Sequence, residues 1–119
     1  MQGGQDQLDW LQFQFDSAVE GQTFILIMHI FPGLFYMDQK TDEFWYRDPL
    51  VQFNQILANN SDKVLFVIGA HIHFADVRAP MMDPGNNYID PKTVFLISPS
   101  ISPIFRNNPG YSVIDLDLT

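Results

Sequence analysis

Residues 64–73 read VLFVIGAHIH, five apolar residues followed by a glycine, an alanine and a His-x-His pattern. A continuous run of β-branched, aliphatic and aromatic residues favours a strand that is covered on both faces, as in a parallel sheet flanked by helices. Residues 23–29, TFILIMH, have the same character and also end in a histidine. The two runs therefore predict two buried strands, each with a histidine at its carboxyl end.

A helical pattern precedes each of these strands. The first helix is predicted over Leu8–Val19, with Gly21 as its stop and apolar residues at three- and four-residue spacing: Leu8, Leu11, Phe15 and Ala18. The second is predicted to begin at Asp48-Pro49, with Asp48 as the N-cap and Pro49 as the first helical residue. It ends at Asn59-Asn60, and its apolar stripe consists of Leu50, Phe53, Ile56 and Leu57.

The remaining segments lack helical periodicity. Residues 31–45 are predicted to be a loop, whereas Thr93–Ile97 and Tyr111–Leu118 are predicted to be strands. Turns are expected at Pro80, Pro84-Gly85, Pro91, Pro99, Pro103 and Pro109-Gly110. This order of elements predicts an α/β fold, in which ligand sites collect at the carboxyl ends of the strands.

Composition narrows the possible functions. The 119 residues carry a net charge of −8, which argues against nucleic acid as a partner, and they contain no cysteine for disulfides or thiolate chemistry. The length allows one domain or part of one. The longest apolar run, residues 24–35, is interrupted and shorter than the ~20 residues of a membrane span, so no transmembrane segment is predicted. The first residues lack the features of a signal peptide.

All three histidines of the chain, His29, His71 and His73, follow an apolar run. One histidine at a strand end is more often an ordinary polar residue, but three of three favour a metal site. Residues i and i+2 of an extended segment project to the same side, so His71 and His73 could present their imidazoles together. Neutral imidazole is a common ligand of zinc, iron and manganese. We expect the three side chains to converge on one site.

Several longer motifs occur in a recognisable order. They are QLDWL at residues 7–11, a strand ending in HIFPG at 29–33, IGAHIH at 68–73, SPSISP at 98–103 and NPGYSVIDLD at 108–117. In this combination the chain resembles the calcineurin-like metallophosphoesterases, and in particular their acid sphingomyelinase-like phosphodiesterase branch. Phe31 replaces the first proline of that family's His-x-Pro-Pro-Gly motif, and Ala70 is inserted into its Gly-His-x-His motif.

The resemblance implies that residues 1–119 are the C-terminal half of a phosphoesterase domain, which is half of a four-layer αββα sandwich. It assigns His29 and His71 to one metal and His73 to a second. The cofactors would be two divalent ions, zinc, manganese or iron, that together hydrolyse a phosphate-ester substrate. It also suggests Asn108 and Tyr111 as substrate-binding residues, although a type I or II turn at Asn-Pro-Gly-Tyr is the better account of them.

The family's N-terminal motifs, Asp-x-His, Gly-Asp-x-x-Asp and Gly-Asn-His-[Glu/Asp], do not occur in this chain. The nearest segment, Gly85-Asn86-Asn87, lacks both the histidine and the acid. We therefore expect a complementary chain or segment to supply the missing half, and the isolated chain to be inactive. The alternatives are a non-catalytic structural subunit of a larger assembly and a small stand-alone three-histidine metal protein. Family resemblance points to a secreted or lysosomal protein.

Overall fold

The computed structural model describes residues 2–37, 40–79 and 93–117. In these ranges the chain has a mixed α/β fold with two helices and a four-stranded mixed sheet, which confirms the predicted class. The elements in chain order are α1 Gln2–Asp16, β1 Phe24–Ile27, β2 Leu34–Met37, β3 Lys40–Glu43, α2 Arg47–Asn59, β4 Val64–Gly69, β5 Asp76–Arg78 and β6 Phe95–Ile97, followed by a 3-10 turn at Ile104–Arg106.

The main sheet has the strand order β1-β4-β6-β5. The first three strands are parallel, whereas β5 is antiparallel to β6. β2 and β3 form a separate antiparallel hairpin. The segment predicted as a loop over residues 31–45 thus contains a hairpin, because the two short strands satisfy each other's backbone groups outside the main sheet. The turns predicted at Pro80, Pro84-Gly85 and Pro91 lie outside the described residues.

Both predicted helices form, with shifted ends. α1 ends at Asp16 rather than Val19, and Lys63 Nζ donates to the carbonyl of Phe15 over 3.0 Å, which satisfies one of the free carbonyls at this end. α2 begins at Arg47, so the N-cap is Tyr46 and the predicted cap Asp48 is wrong. Tyr46 makes no capping hydrogen bond through its side chain. Helix α2 ends at Asn59, as predicted.

The core lies between the two helices and one face of the sheet. It contains most residues of the predicted helix faces together with residues of β4 and β6: Leu8, Leu11, Phe15, Phe53, Leu57, Val64, Val67, Phe95 and Ile97. Leu50 and Ile56 of the predicted α2 stripe are only half-buried. Ala18 lies beyond the end of α1 and is only half-buried. The second strand is covered as predicted, since each residue of β4 is buried or half-buried.

The opposite face of the sheet is exposed at the edge strands β1 and β5 and half-buried at the central strands β4 and β6. Register partners project to the same side, which places Ile27, Ile68, Leu96 and Val77 together on what we call the open face. Ile27 is 76% exposed and Val77 is 67% exposed. The prediction that β1 is buried on both faces is therefore wrong: β1 is an edge strand, and no element of the described ranges covers its outer face.

The C-terminal strand predicted over Tyr111–Leu118 is also absent from the described part, where residues 111–117 form neither helix nor strand and are exposed. A strand needs a neighbour to pair its backbone groups, and none of the described strands lies beside this segment. Neither helix in the described ranges combines the length and the apolarity that a membrane span requires.

Candidate metal centre

Two parallel strands bring His29 and His71 to the same edge of the sheet. The pairing of β1 with β4 continues past the strand ends, because Met28 N–H donates to the carbonyl of Ile68 over 2.9 Å and Ala70 N–H to that of His29 over 3.0 Å. Residue 29 is thereby held beside residues 70 and 71, although the two segments are far apart in the sequence.

The two imidazoles face each other through their ring nitrogens. His71 Nδ1 and His29 Nε2 lie 3.3 Å apart, with ring centroids 5.2 Å apart and an interplanar angle of 80°. At this separation one imidazole nitrogen can donate a hydrogen bond to the other, with the direction set by the tautomers. Two imidazole nitrogens about 2.0–2.1 Å from one tetrahedral metal would lie roughly 3.3–3.4 Å from each other. The observed separation is compatible with a hydrogen bond between the two rings and also with a shared metal ion.

His71 lies at the centre of a tight turn rather than in an extended segment. Its φ is 77°, and the N–H of Ile72 donates to the carbonyl of Ala70 over 3.0 Å. This is the three-residue turn with positive φ, which is rare and strained for a residue with a side chain. His73 also has a left-handed φ of 65°. The prediction that the His-x-His segment is extended is therefore wrong, because both histidines have a positive φ.

The strain at His71 can be measured by substitution. We expect His71→Gly to be more stable than His71→Ala by about 1 kcal/mol, since glycine adopts a left-handed φ without a steric cost. Both variants lose the same imidazole contacts, so the difference reports the backbone. The measurement is urea unfolding of the two variants.

The matched control for this pair is Ala70→Gly at the preceding residue, whose φ is not positive. There glycine should instead destabilise the chain by roughly 0.5–1 kcal/mol. If alanine were the more stable residue at position 71 as well, the turn would not be strained.

His73 occupies a different environment. Its side chain is half-buried, and its ring packs against Phe105 with centroids 5.2 Å apart. Its Nδ1 atom is buried and has no hydrogen-bond partner among the residues that the structure describes. A buried polar atom without a partner costs about 1–3 kcal/mol and calls for an explanation.

Of the three histidines predicted to converge on one site, two lie together, and the convergence of His73 with them stays a prediction. His29 and His71 are paired, but residues 2–37, 40–79 and 93–117 contain no group of three or more His, Asp or Glu side chains suited to one metal ion. Whether His73 binds a second ion stays a prediction. The segment Gly85-Asn86-Asn87 lies outside the described residues.

The loop after β6 contacts the site through a residue that the sequence analysis missed. Asn107 Nδ2 donates to the carbonyl of His73 over 3.3 Å, and Ser100 N–H approaches the same oxygen at 3.4 Å. The predicted residues Asn108 and Tyr111 are exposed, Tyr111 by 82%. The adjacent pair of asparagines was the available signal, but the resemblance selected the second. Substrate binding by Asn108 and Tyr111 stays a prediction.

A second missed residue is Phe44, whose ring lies against His71 with centroids 5.4 Å apart. No periodic pattern in the sequence marks this residue, because it follows the hairpin.

Comparison with protein-family models finds no match to this chain, and comparison with curated proteins finds none.

Proposed function

We propose that this chain is the metal-binding, C-terminal half of a metallophosphoesterase-type hydrolase of the calcineurin-like, acid sphingomyelinase-like class. The observation that carries the proposal is the 3.3 Å separation between His29 Nε2 and His71 Nδ1. The family resemblance assigns these two residues to one metal, and the separation of their nitrogens fits that assignment.

The donor set fits zinc, manganese or iron, which accept neutral imidazole. Divalent ions in such a site would polarise the phosphate ester and activate a bound water for attack on phosphorus. The chain's own contribution is to hold two imidazoles at one sheet edge, with their backbones fixed by the paired ends of β1 and β4. The net charge of −8 also favours cation binding.

His73 is proposed as a ligand of the second ion. Its buried Nδ1 lacks a hydrogen-bond partner within the described ranges, and a metal ion would satisfy a lone pair there. The loop residues Phe105 and Asn107 hold His73 in place from the other side.

We also propose that the chain needs a complementary chain or segment, which completes the four-layer αββα sandwich. Two features support this part of the proposal. The open face exposes apolar side chains such as Ile27, and apolar surface of this kind marks an interaction site when it is contiguous. The described residues also contain no group of three His, Asp or Glu side chains suited to one ion, and the family resemblance assigns the remaining ligands and the catalytic group to the complementary half.

The second candidate function is a non-catalytic structural subunit derived from a phosphoesterase. The exposed apolar side chains of the open face favour it, because a subunit interface alone would account for them. The two candidates differ in one property, because a structural remnant has no need to bind metal.

Metal titration distinguishes them. Cu²⁺ is a suitable probe because it binds nitrogen donors more tightly than the other divalent first-row ions. We expect electron paramagnetic resonance of the Cu²⁺-loaded chain to show two coordinating imidazole nitrogens. His29→Ala and His71→Ala should each weaken binding at least about 100-fold, the upper end of what loss of an outer-shell residue costs.

The control for this titration is His73→Ala, which should leave the two-nitrogen signal of the His29–His71 pair intact. Equal affinity in the wild-type chain, His29→Ala and His71→Ala would contradict the proposed centre and favour the structural subunit.

A further inference from the structure

We infer that Phe44 and Trp45, the two residues that follow hairpin β2–β3, are positioning residues that hold the His29–His71 pair in its metal-binding orientation. This inference rests on the proposed metal site and adds a function to the hairpin. Phe44 contacts one half of the pair and Trp45 holds the segment next to the other half.

Phe44 fixes the ring of His71. The two rings meet nearly perpendicularly, at 86°, with centroids 5.4 Å apart. His71 is otherwise an exposed side chain, and an exposed side chain exchanges between staggered rotamers. An edge-to-face contact favours one orientation of the imidazole plane. The rotamer that is selected here points Nδ1 towards His29.

Trp45 fixes the segment that follows His29. Its indole Nε1–H donates to the carbonyl of Ile30 over 3.0 Å. Its ring packs on Phe53 of helix α2, with centroids 5.1 Å apart. Trp45 thus links the backbone beside His29 to the rigid core, which limits how far His29 can move away from His71.

The hairpin itself is anchored to the main sheet, so the position of Phe44 is defined. Phe44 packs on the fully buried Phe31 at 5.3 Å between centroids, and its N–H donates to the carbonyl of Gly33 over 3.1 Å. Arg78 of β5 lies over the Phe31 ring, with Cζ 4.6 Å from the ring centroid. Its Nη1 donates to the carbonyl of Leu34 over 2.6 Å. Nε of the same guanidinium forms a salt bridge with Asp76 Oδ2 over 2.7 Å.

The test compares two identical substitutions in different places. Phe44→Leu removes the ring next to His71 but keeps an apolar side chain against Phe31. Phe24→Leu is the matched control: Phe24 is also half-buried and makes an edge-to-face contact, with Phe15 at 5.1 Å and 83°. It begins β1, at the end of the strand remote from His29.

Cu²⁺ affinity and the number of coordinating nitrogens are measured for the 119-residue chain and both variants, with thermal unfolding as the measure of stability. We expect Phe44→Leu to weaken Cu²⁺ binding about tenfold and to reduce the two-nitrogen signal, as loss of an outer-shell residue does. Phe24→Leu should lower the unfolding temperature by a similar amount and leave the affinity and the signal unchanged.

A further variant, Trp45→Phe, removes the indole N–H and keeps a ring on Phe53, so it should weaken binding even if Phe44→Leu fails to fold. Unchanged binding in Phe44→Leu and Trp45→Phe, or equal losses in Phe44→Leu and Phe24→Leu, would overturn the inference while the metal site stood. A wild-type chain that coordinates Cu²⁺ through fewer than two imidazoles would instead overturn the proposed metal site itself.

Discussion

The 119-residue chain on its own should hydrolyse no phosphodiester, and it should elute from a sizing column ahead of a monomer. The open face leaves apolar side chains in water. Each Å² of apolar surface left exposed forgoes about 25 cal/mol of hydrophobic stabilisation. An apolar area on the order of 300 Å² then costs roughly 7 kcal/mol, comparable to the whole stability of a small domain. The proposed function assigns the carboxylates and the catalytic group to the complementary half, so the isolated chain is not expected to complete the site. The measurements are sizing and a chromogenic phosphodiester assay with added Mn²⁺ or Zn²⁺.

Two lysine substitutions identify the surface responsible for this association. Ile27→Lys places a charge on the open face and should shift the chain towards a monomer. Val19→Lys is the control, because Val19 is 72% exposed, much like Ile27, but lies in the turn after α1. A folded monomer that turns over substrate faster than about 1 per second would refute the need for a complementary half.

Gly69→Ala should lower the free energy of unfolding by about 1–3 kcal/mol, the usual cost of overpacking a core. A Cβ atom at residue 69 would lie 2.8 Å from Cβ of Phe31 and 3.0 Å from Cδ1 of Ile97. The first neighbour is attached directly to the backbone and cannot move without the segment that follows His29. Denaturant unfolding measures the effect, and the two-nitrogen Cu²⁺ signal should weaken with it.

Gly4→Ala provides the matched control for this substitution. No atom lies within 4 Å of a Cβ at residue 4, which is inside helix α1, so alanine should stabilise the chain by roughly 0.5–1 kcal/mol. If Gly69→Ala were as stable as the wild-type chain, the close packing of Phe31 on β4 would be wrong.

Much of the fold could be predicted from local sequence patterns. The apolar runs located β1 and β4, and the three- and four-residue spacing identified the buried faces of α1 and α2, including Phe15 and Leu57. These features are encoded by residues close together in the chain, so periodicity reveals them. The histidines at the strand ends were visible for the same reason.

Other features depend on residues that meet only in the folded chain. Whether β1 is covered depends on its edge position in the sheet, which composition does not reveal. Residues 111–117 have the alternation of a strand but no partner among the described strands, and pairing decides whether a strand forms. The contact of Asn107 with His73 depends on how the loop after β6 folds back.

The sequence by itself determined that this is an α/β chain with three histidines after apolar runs, because strand and helix periods are local properties. Only the tertiary structure decided that His29 and His71 form the pair, at 3.3 Å, because parallel pairing aligns strand ends that are distant in the chain. It also decided the left-handed backbone at His71 and the packing of Phe44 on its ring. Both follow from how the segments after β4 and β3 pack against each other.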